Sequence, residues 1–226
     1  MSNLRHQIWA VVPVKAFAQA KSRLSPELSP ASREGLARAM LADVLSALTQ
    51  SRAIGQTLVI TADPEVMTLA QSLGAQVLRD RLCTGQTAAV EQAARALDLQ
   101  QCTAMLTLPS DLPLLTGADI DAICQPLCAD RPLVFAPAIN DGGTNALLCA
   151  PPLGMRFHFG EDSFARHQRA ARELGLGFTV SQAPGFRLDL DRPSDLDDFL
   201  AIESNTHAYS FLRTFQPEHI SGGSFG

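Results

Sequence analysis

Apolar positions recur along this chain in two periods. Short apolar runs bounded by Pro, Gly or charged residues appear at 8–14 (IWAVVPV), 57–61, 75–79, 104–108 (AMLTL), 133–137 (LVFAP), 145–150 (NALLCA), 177–181 and 186–190 (FRLDL). Runs of that length read as strands. Between them the period changes to that of a helix. Over 33–50, Leu36, Met40, Leu41, Val44, Leu45 and Leu48 fall on one face. Further helices are predicted over 64–73, 86–98, 117–128, 159–175 and 193–203. Pro64 and Pro193 suit first helical turns, Gly74 a helix stop, and Asp162 or Ser163 an N-cap. The segment 15–32 reads as a loop and DGG at 141–143 as a turn.

Alternation of this kind predicts an α/β fold with a mostly parallel sheet and helices on both faces. The DGGT turn and the strands after it predict an antiparallel excursion on one edge. One domain is expected over 1–203, followed by a tail over 204–226 that ends in SGGSFG. Phe211, Leu212 and Phe215 offer docking residues toward the body or a partner chain, so monomer and homodimer both stay open. The Gly/Ser end reads as mobile.

Composition narrows the functional classes. A net charge of −5 and the lack of any Lys/Arg-rich run argue against nucleic acid. Anionic ligands must then be met locally, by a few cations, backbone N–H groups or a metal. The N-terminal apolar run is too short for a signal segment or a bilayer span, which predicts a cytoplasmic protein with no membrane partner. Cys124 and Cys128 are spaced i,i+4 on an expected helix, but no His or Cys pair completes a zinc site. The five cysteines read as reduced thiols.

The chemistry gathers where strands end. In open α/β sheets ligands bind beyond the carboxyl ends of the strands. Lys15 follows the first strand, with Lys21 and Arg23 in the loop beyond. These cations suit phosphates, although the loop lacks glycine and is neither G-x-G-x-x-G nor a P-loop. Asp111 follows strand 104–108 and reads equally well as a turn residue between two prolines. Asp189 and Asp191 alternate with Leu188 and Leu190, so on a strand both carboxylates face one side. Two carboxylates on one face call for something positive between them. Mg²⁺ fits, taking a few carboxylates and completing its shell with water and phosphate oxygens; an ion pair with Arg187 or Arg192 is the plainer reading. Asp195, Asp197 and Asp198 suit a helical first turn. Thr144, Gly160 and Ser163 offer small polar contacts, or simply a hairpin and an N-cap. His158 and His167 flank Ser163 and are assigned structural or surface roles.

In order, PVK…AKSRL, RAMLADVL, PSDLPLL, DGGTNALL, FHFGEDSF and LDLDRPSDL resemble the phospholactate guanylyltransferase family over roughly residues 8–200. The resemblance implies a Rossmann-like nucleotidyltransferase fold. It implies transfer of GMP from GTP to a phosphorylated three-carbon carboxylic acid (2-phospho-L-lactate, phosphoenolpyruvate or 3-phospho-D-glycerate), in biosynthesis of the deazaflavin redox coenzyme. By the same resemblance Asp111, Asp189 and Asp191 hold Mg²⁺. Lys15 and Lys21, with Arg23 and Gly85, meet the nucleotide, and Thr144, Gly160 and Ser163 line the acceptor. The chain departs from the family where Gly85-Gln86-Thr87 replaces a common Gly-Leu-Asn, which bears on acceptor choice. Two alternatives stay open: a nucleotidyltransferase for another acceptor, such as a molybdopterin or sugar phosphate, and a non-catalytic nucleotide-binding protein.

Overall fold

A computed structural model describes residues 8–140 and 142–215. Strands Ile8–Pro13 (β1), Ile54–Thr61 (β2), Gln76–Arg79 (β3), Ala104–Thr107 (β4), Leu133–Pro137 (β5), Thr144–Cys149 (β6) and Phe178–Val180 (β7) form one sheet, in the order β3-β2-β1-β4-β6-β5-β7. β6 runs antiparallel to both neighbours, and the other pairings are parallel. The antiparallel strand therefore lies inside the sheet rather than on the expected edge. The edge is β7, held parallel to β5.

The helices are Pro30–Gln50 (α1), Pro64–Ser72 (α2), Gln86–Leu99 (α3), Gly117–Cys124 (α4), Ser163–Glu173 (α5), Pro193–Leu200 (α6) and His207–Phe215 (α7). Strand alternation divides them between two faces. Ala10 and Val12 of β1 meet Leu41, Val44 and Leu48 of α1, Val66 of α2 and Ile120 of α4. Val11 points to the other face, into the cluster that holds Val90 and Ala93 of α3 and Ala171 of α5. Cutting a buried member such as Leu41 back to Ala costs about 2–5 kcal/mol, so each face is pinned by several independent contacts.

Several boundaries differ from the sequence expectations for local reasons. α1 starts at Pro30, because Pro occupies its first turn and the Ser29 side chain accepts from Ser32 N at 3.2 Å. α4 starts at a Thr116/Asp119 capping box and ends at Cys124. Cys128 lies beyond it, in a bridge with Arg131, so the two cysteines do not share a helix. Burial pushes the Cys124 thiol up to about 12, as expected of an inert core thiol. α5 begins at Ser163, after a left-handed Asp162 whose side chain makes no cap, so neither candidate caps by side chain.

The largest difference is at 186–190, which is not a strand. A tight turn at Pro184–Phe186 is followed by an irregular stretch outside the sheet. Gly185 packs against α4: its N–H donates to Asp119 Oδ1 at 3.2 Å, and a Cβ there would lie 2.4 Å from Asp119 Oδ2.

The tail contributes α7. Asp43, on α1, accepts from His207 N at 2.7 Å and Ala208 N at 2.9 Å, which caps α7 from a neighbouring helix. Leu212 and Ala208 are buried with Met40, Leu190, Phe199 and Leu24, and Phe211 packs against that cluster. The side chain of Phe215 and the SGGSFG end lie outside the described residues.

Candidate active site

One rim of the sheet collects the polar residues. β1 and β4 are parallel, so their carboxyl ends share that rim. β6 runs the other way and pairs Leu147 with Thr107 at the end of β4. Its first residues, Thr144 and Asn145, therefore arrive at the same rim.

The loop after β1 is anchored at Phe17, whose N–H donates to Asp63 Oδ2 at 3.0 Å, and at the buried Leu24. Between these anchors Lys21 adopts a left-handed conformation with φ of 55°. Its ammonium lies 2.5 Å from Asp111 Oδ2 and 3.9 Å from Asp191 Oδ1. Arg23 pairs with the other oxygen of Asp191. Lys15 is exposed at the mouth of the loop and makes no ion pair among the described residues.

Asp111 and the 189–191 segment meet through backbone as well as charge. Leu190 N donates to the Asp111 carbonyl at 3.1 Å. Asp189 turns toward β6, where Asn145 Nδ2 reaches its Oδ1 at 3.0 Å and the Phe186 carbonyl at 2.9 Å. Asp189 and Asp191 therefore do not share a strand face. The segment lies outside the sheet, and one carboxylate meets β6 while the other meets the Lys21/Arg23 loop. The partners of Asp191 are Arg23 and Lys21, not the neighbouring Arg187 or Arg192.

Asp195 holds this arrangement in place. It is 2 % exposed. Its Oδ2 accepts from Asp191 N at 2.9 Å and Arg192 N at 2.7 Å, and its Oδ1 from Asn140 Nδ2 at 3.0 Å. An acid in the first turn after Pro193 is a readable helix-start signal, but its reach to Asn140 is tertiary. Asn145 was passed over for a different reason: it opens the apolar run NALLCA, and only its tertiary contact with Asp189 gives it a part.

The small polar residues form a second group across β6. Thr144 opens β6; Ser163 Oγ donates to Thr144 Oγ1 at 3.2 Å, and Ser163 N to the Gly160 carbonyl at 3.1 Å. Gly160 has φ of 113°, a conformation that side chains rarely adopt. The adjoining Phe159 N donates to Thr87 Oγ1 at 3.1 Å, which ties the loop to the start of α3. Gly85 begins that helix with φ of 110° and open space around it. His167 is fully buried, not at the surface, and its Nδ1 lies 3.0 Å from Thr144 Oγ1. Burial, then the nearby His158 and Arg166, lower its pKa to about 4. Thr144 and Asn145 point to opposite sides of β6, so one strand end joins the hydroxyl group to the acidic group.

The donor set suits a hard cation. Asp111 Oδ1 is buried without a hydrogen-bond partner, and Asp111 and Asp191 already converge on a positive charge. Among the described residues no three His, Cys, Asp or Glu side chains form a ready metal cage. The ammonium of Lys21 contacts both carboxylates.

A mixed seven-stranded sheet in this order, flanked by helices, is the Rossmann-like fold of nucleotidyltransferases. A structure from Desulfovibrio desulfuricans described as a nucleotide-diphospho-sugar transferase shares it, with a TM-score of 0.73 over 92 % of this chain and 94 % of that one, at 15 % identity. The chain belongs to the CofC-like guanylyl transferase family, which it matches over residues 8–221. That span passes the boundary at 203 read from the sequence and takes in α7. A phosphoenolpyruvate guanylyltransferase of Conexibacter woesei is 40 % identical over 84 % of this chain and 85 % of its own. A 2-phospho-L-lactate guanylyltransferase of Methanothermobacter thermautotrophicus is 39 % identical over 90 % and 89 %. A 3-phospho-D-glycerate guanylyltransferase of Phenylobacterium zucineum is 37 % identical over 82 % and 86 %. No helix among the described residues is long and apolar enough to cross a membrane.

Proposed function

We propose that this enzyme transfers GMP from GTP to a phosphorylated three-carbon carboxylic acid and releases pyrophosphate, as a step in assembling a deazaflavin redox coenzyme. One observation carries the reading beyond family membership. Asp111 and Asp191 meet at Lys21 on the rim where β6 also delivers Asn145 to Asp189 and Thr144 to Ser163. Two groups of opposite character, one for a cation with its triphosphate and one for a small anion, thus share a single strand end.

In this reading Lys15, Lys21 and Arg23 receive the triphosphate, and Gly85 opens α3 toward the nucleotide. Thr144, Gly160 and Ser163 receive the acceptor's anionic oxygens. A phosphate oxygen of the acceptor bonds to the α-phosphorus of GTP as the bond to the β-phosphate oxygen breaks, and the electron pair leaves with pyrophosphate. A phosphate monoester has a second pKa of about 6, so at neutral pH it attacks without a general base. His167 is not a base for this step: it is buried and engaged at both ring nitrogens. The obstacle is the approach of one anion to another. Positioning and neutralisation by the lysines reduce it. Mg²⁺ held by Asp111 and Asp191, joined by Asp189 on leaving Asn145, would supply further neutralisation of phosphate oxygens.

The three relatives are named for three different acids at nearly equal identity, so the acceptor must be measured. Purified protein with Mg²⁺ is incubated with GTP and, separately, phosphoenolpyruvate, 2-phospho-L-lactate and 3-phospho-D-glycerate, and products are read by mass spectrometry. A GMP adduct of one acid with matching pyrophosphate is expected. The absence of an adduct with all three, or equal turnover with CTP, overturns the proposal.

A further inference from the structure

His167 is fully buried on α5, stacked on Phe135 at 6.1 Å with 15° between planes, and met edge-on by Phe159 at 5.1 Å. Its two nitrogens have fixed and unequal partners. The backbone N–H of His158 donates to Nε2 at 2.9 Å. A backbone N–H can only donate, so Nε2 carries the lone pair and the neutral ring carries its proton on Nδ1. Nδ1 lies 3.0 Å from Thr144 Oγ1 and is therefore the donor there. The lowered pKa of the ring agrees with a neutral form at ordinary pH.

This fixes the polarity of the two hydroxyls. Thr144 and Ser163 together have two hydroxyl protons, and their mutual contact uses one. Because His167 donates to Thr144, it takes neither proton. One is left for a ligand. With the opposite tautomer Thr144 would donate to the ring and Ser163 to Thr144. Both protons would then be consumed, and the pair would offer only lone pairs to an anion.

We propose that His167 is a positioning residue for acceptor binding: by donating from Nδ1 to Thr144 it keeps one hydroxyl proton of the Thr144–Ser163 pair available to an anionic oxygen of the acceptor. The inference rests on the reading that Thr144, Gly160 and Ser163 receive the acceptor. His167 itself touches neither substrate. Its effect is on the Michaelis constant for the acceptor and not on that for GTP.

Two variants separate this role from simple packing. Asn places an amide N–H near the Nδ1 position, and Asp places an acceptor-only carboxylate oxygen there. In His167→Asn the acceptor KM stays within about threefold of the parent. In His167→Asp the carboxylate takes the Thr144 proton and raises the acceptor KM about tenfold or more with GTP KM unchanged, the size expected for one lost hydrogen bond to an anion. The assay uses whichever of phosphoenolpyruvate, 2-phospho-L-lactate and 3-phospho-D-glycerate gives turnover. Equal acceptor KM in the two variants, or equal rises for both substrates, overturns the proposal. Nitrogen-15 NMR of the unmodified enzyme provides a test that needs no variant to fold. A His167 ring protonated at Nδ1 is expected, and a proton at Nε2 at neutral pH overturns it. Thr144→Val distinguishes the two levels. An unchanged acceptor KM in Thr144→Val removes the pocket itself. A raised one, with His167→Asp without effect, removes only the part played by His167.

Discussion

Replacing Lys21 with Met tests the electrostatic arrangement at the rim. The ammonium is largely buried, with 9 % of its side chain exposed; it lies 2.5 Å from Asp111 Oδ2, and Asp111 Oδ1 is buried without a hydrogen-bond partner. Removing one partner of a fully buried ion pair costs about 3–5 kcal/mol. Asp111 and Asp191 are 21 % and 34 % exposed, and Arg23 still pairs with Asp191. Solvent and Arg23 then offset part of the loss, leaving roughly 1–3 kcal/mol. At about 2–4 °C per kcal/mol for a domain of this size, Tm falls by roughly 2–12 °C in metal-free buffer. The same change removes the competitor for a cation, so Mg²⁺ alone raises the Tm of Lys21→Met more than that of the parent. Thermal unfolding with and without Mg²⁺, in the absence of nucleotide, reads both effects. A variant as stable as the parent without metal, with an equal Mg²⁺ response, refutes the argument.

Three further outcomes are expected. Asp189→Asn keeps the fold, since Asn145 can still donate to the amide oxygen, but loses turnover by roughly 100-fold through weaker charge neutralisation; near-normal rates at limiting Mg²⁺ would remove Asp189 from the metal set. His167 has a pKa lowered from 6.5 to about 4, mainly by burial, so its contribution to stability is complete above 6.5 and is lost as pH falls toward 4. Between pH 7 and pH 5 that loss amounts to about 2 kcal/mol in urea unfolding, and it is absent in His167→Phe. Asp43→Ala leaves two N–H groups at the start of α7 without their acceptor and costs about 1–2 kcal/mol; fast hydrogen exchange confined to 207–215 is the expected signature, and unchanged protection there would show that side-chain packing alone holds the helix.

The sequence was most informative where periodicity has one physical meaning. The stripe of Leu36, Met40, Leu41, Val44, Leu45 and Leu48 is buried as predicted, with Leu41, Val44, Leu45 and Leu48 in the cluster on the sheet and Leu36 and Met40 in the cluster beneath α7. The run FRLDL misled because Leu188 and Leu190 have strand-like spacing. Leu190 in fact fills a cluster beneath α7, and Pro184 and Gly185 turn the chain away from the sheet. His167 was assigned a structural or surface role because nothing local marks it. Its meaning comes from Thr144, 23 residues away, and from an enclosing set of aromatic rings.

By itself the sequence determined the α/β class, the order of most elements and the polar residues that follow strands, since each of these depends on spacing along the chain. Only the tertiary structure decided that β6 is reversed inside the sheet, that Asp189 and Asp191 diverge, and that Lys21 sits between two acids. Those outcomes depend on which strands pair and on which side chains find partners 44 to 168 residues away. Local pattern does not encode such pairings; packing and hydrogen-bond satisfaction select them together.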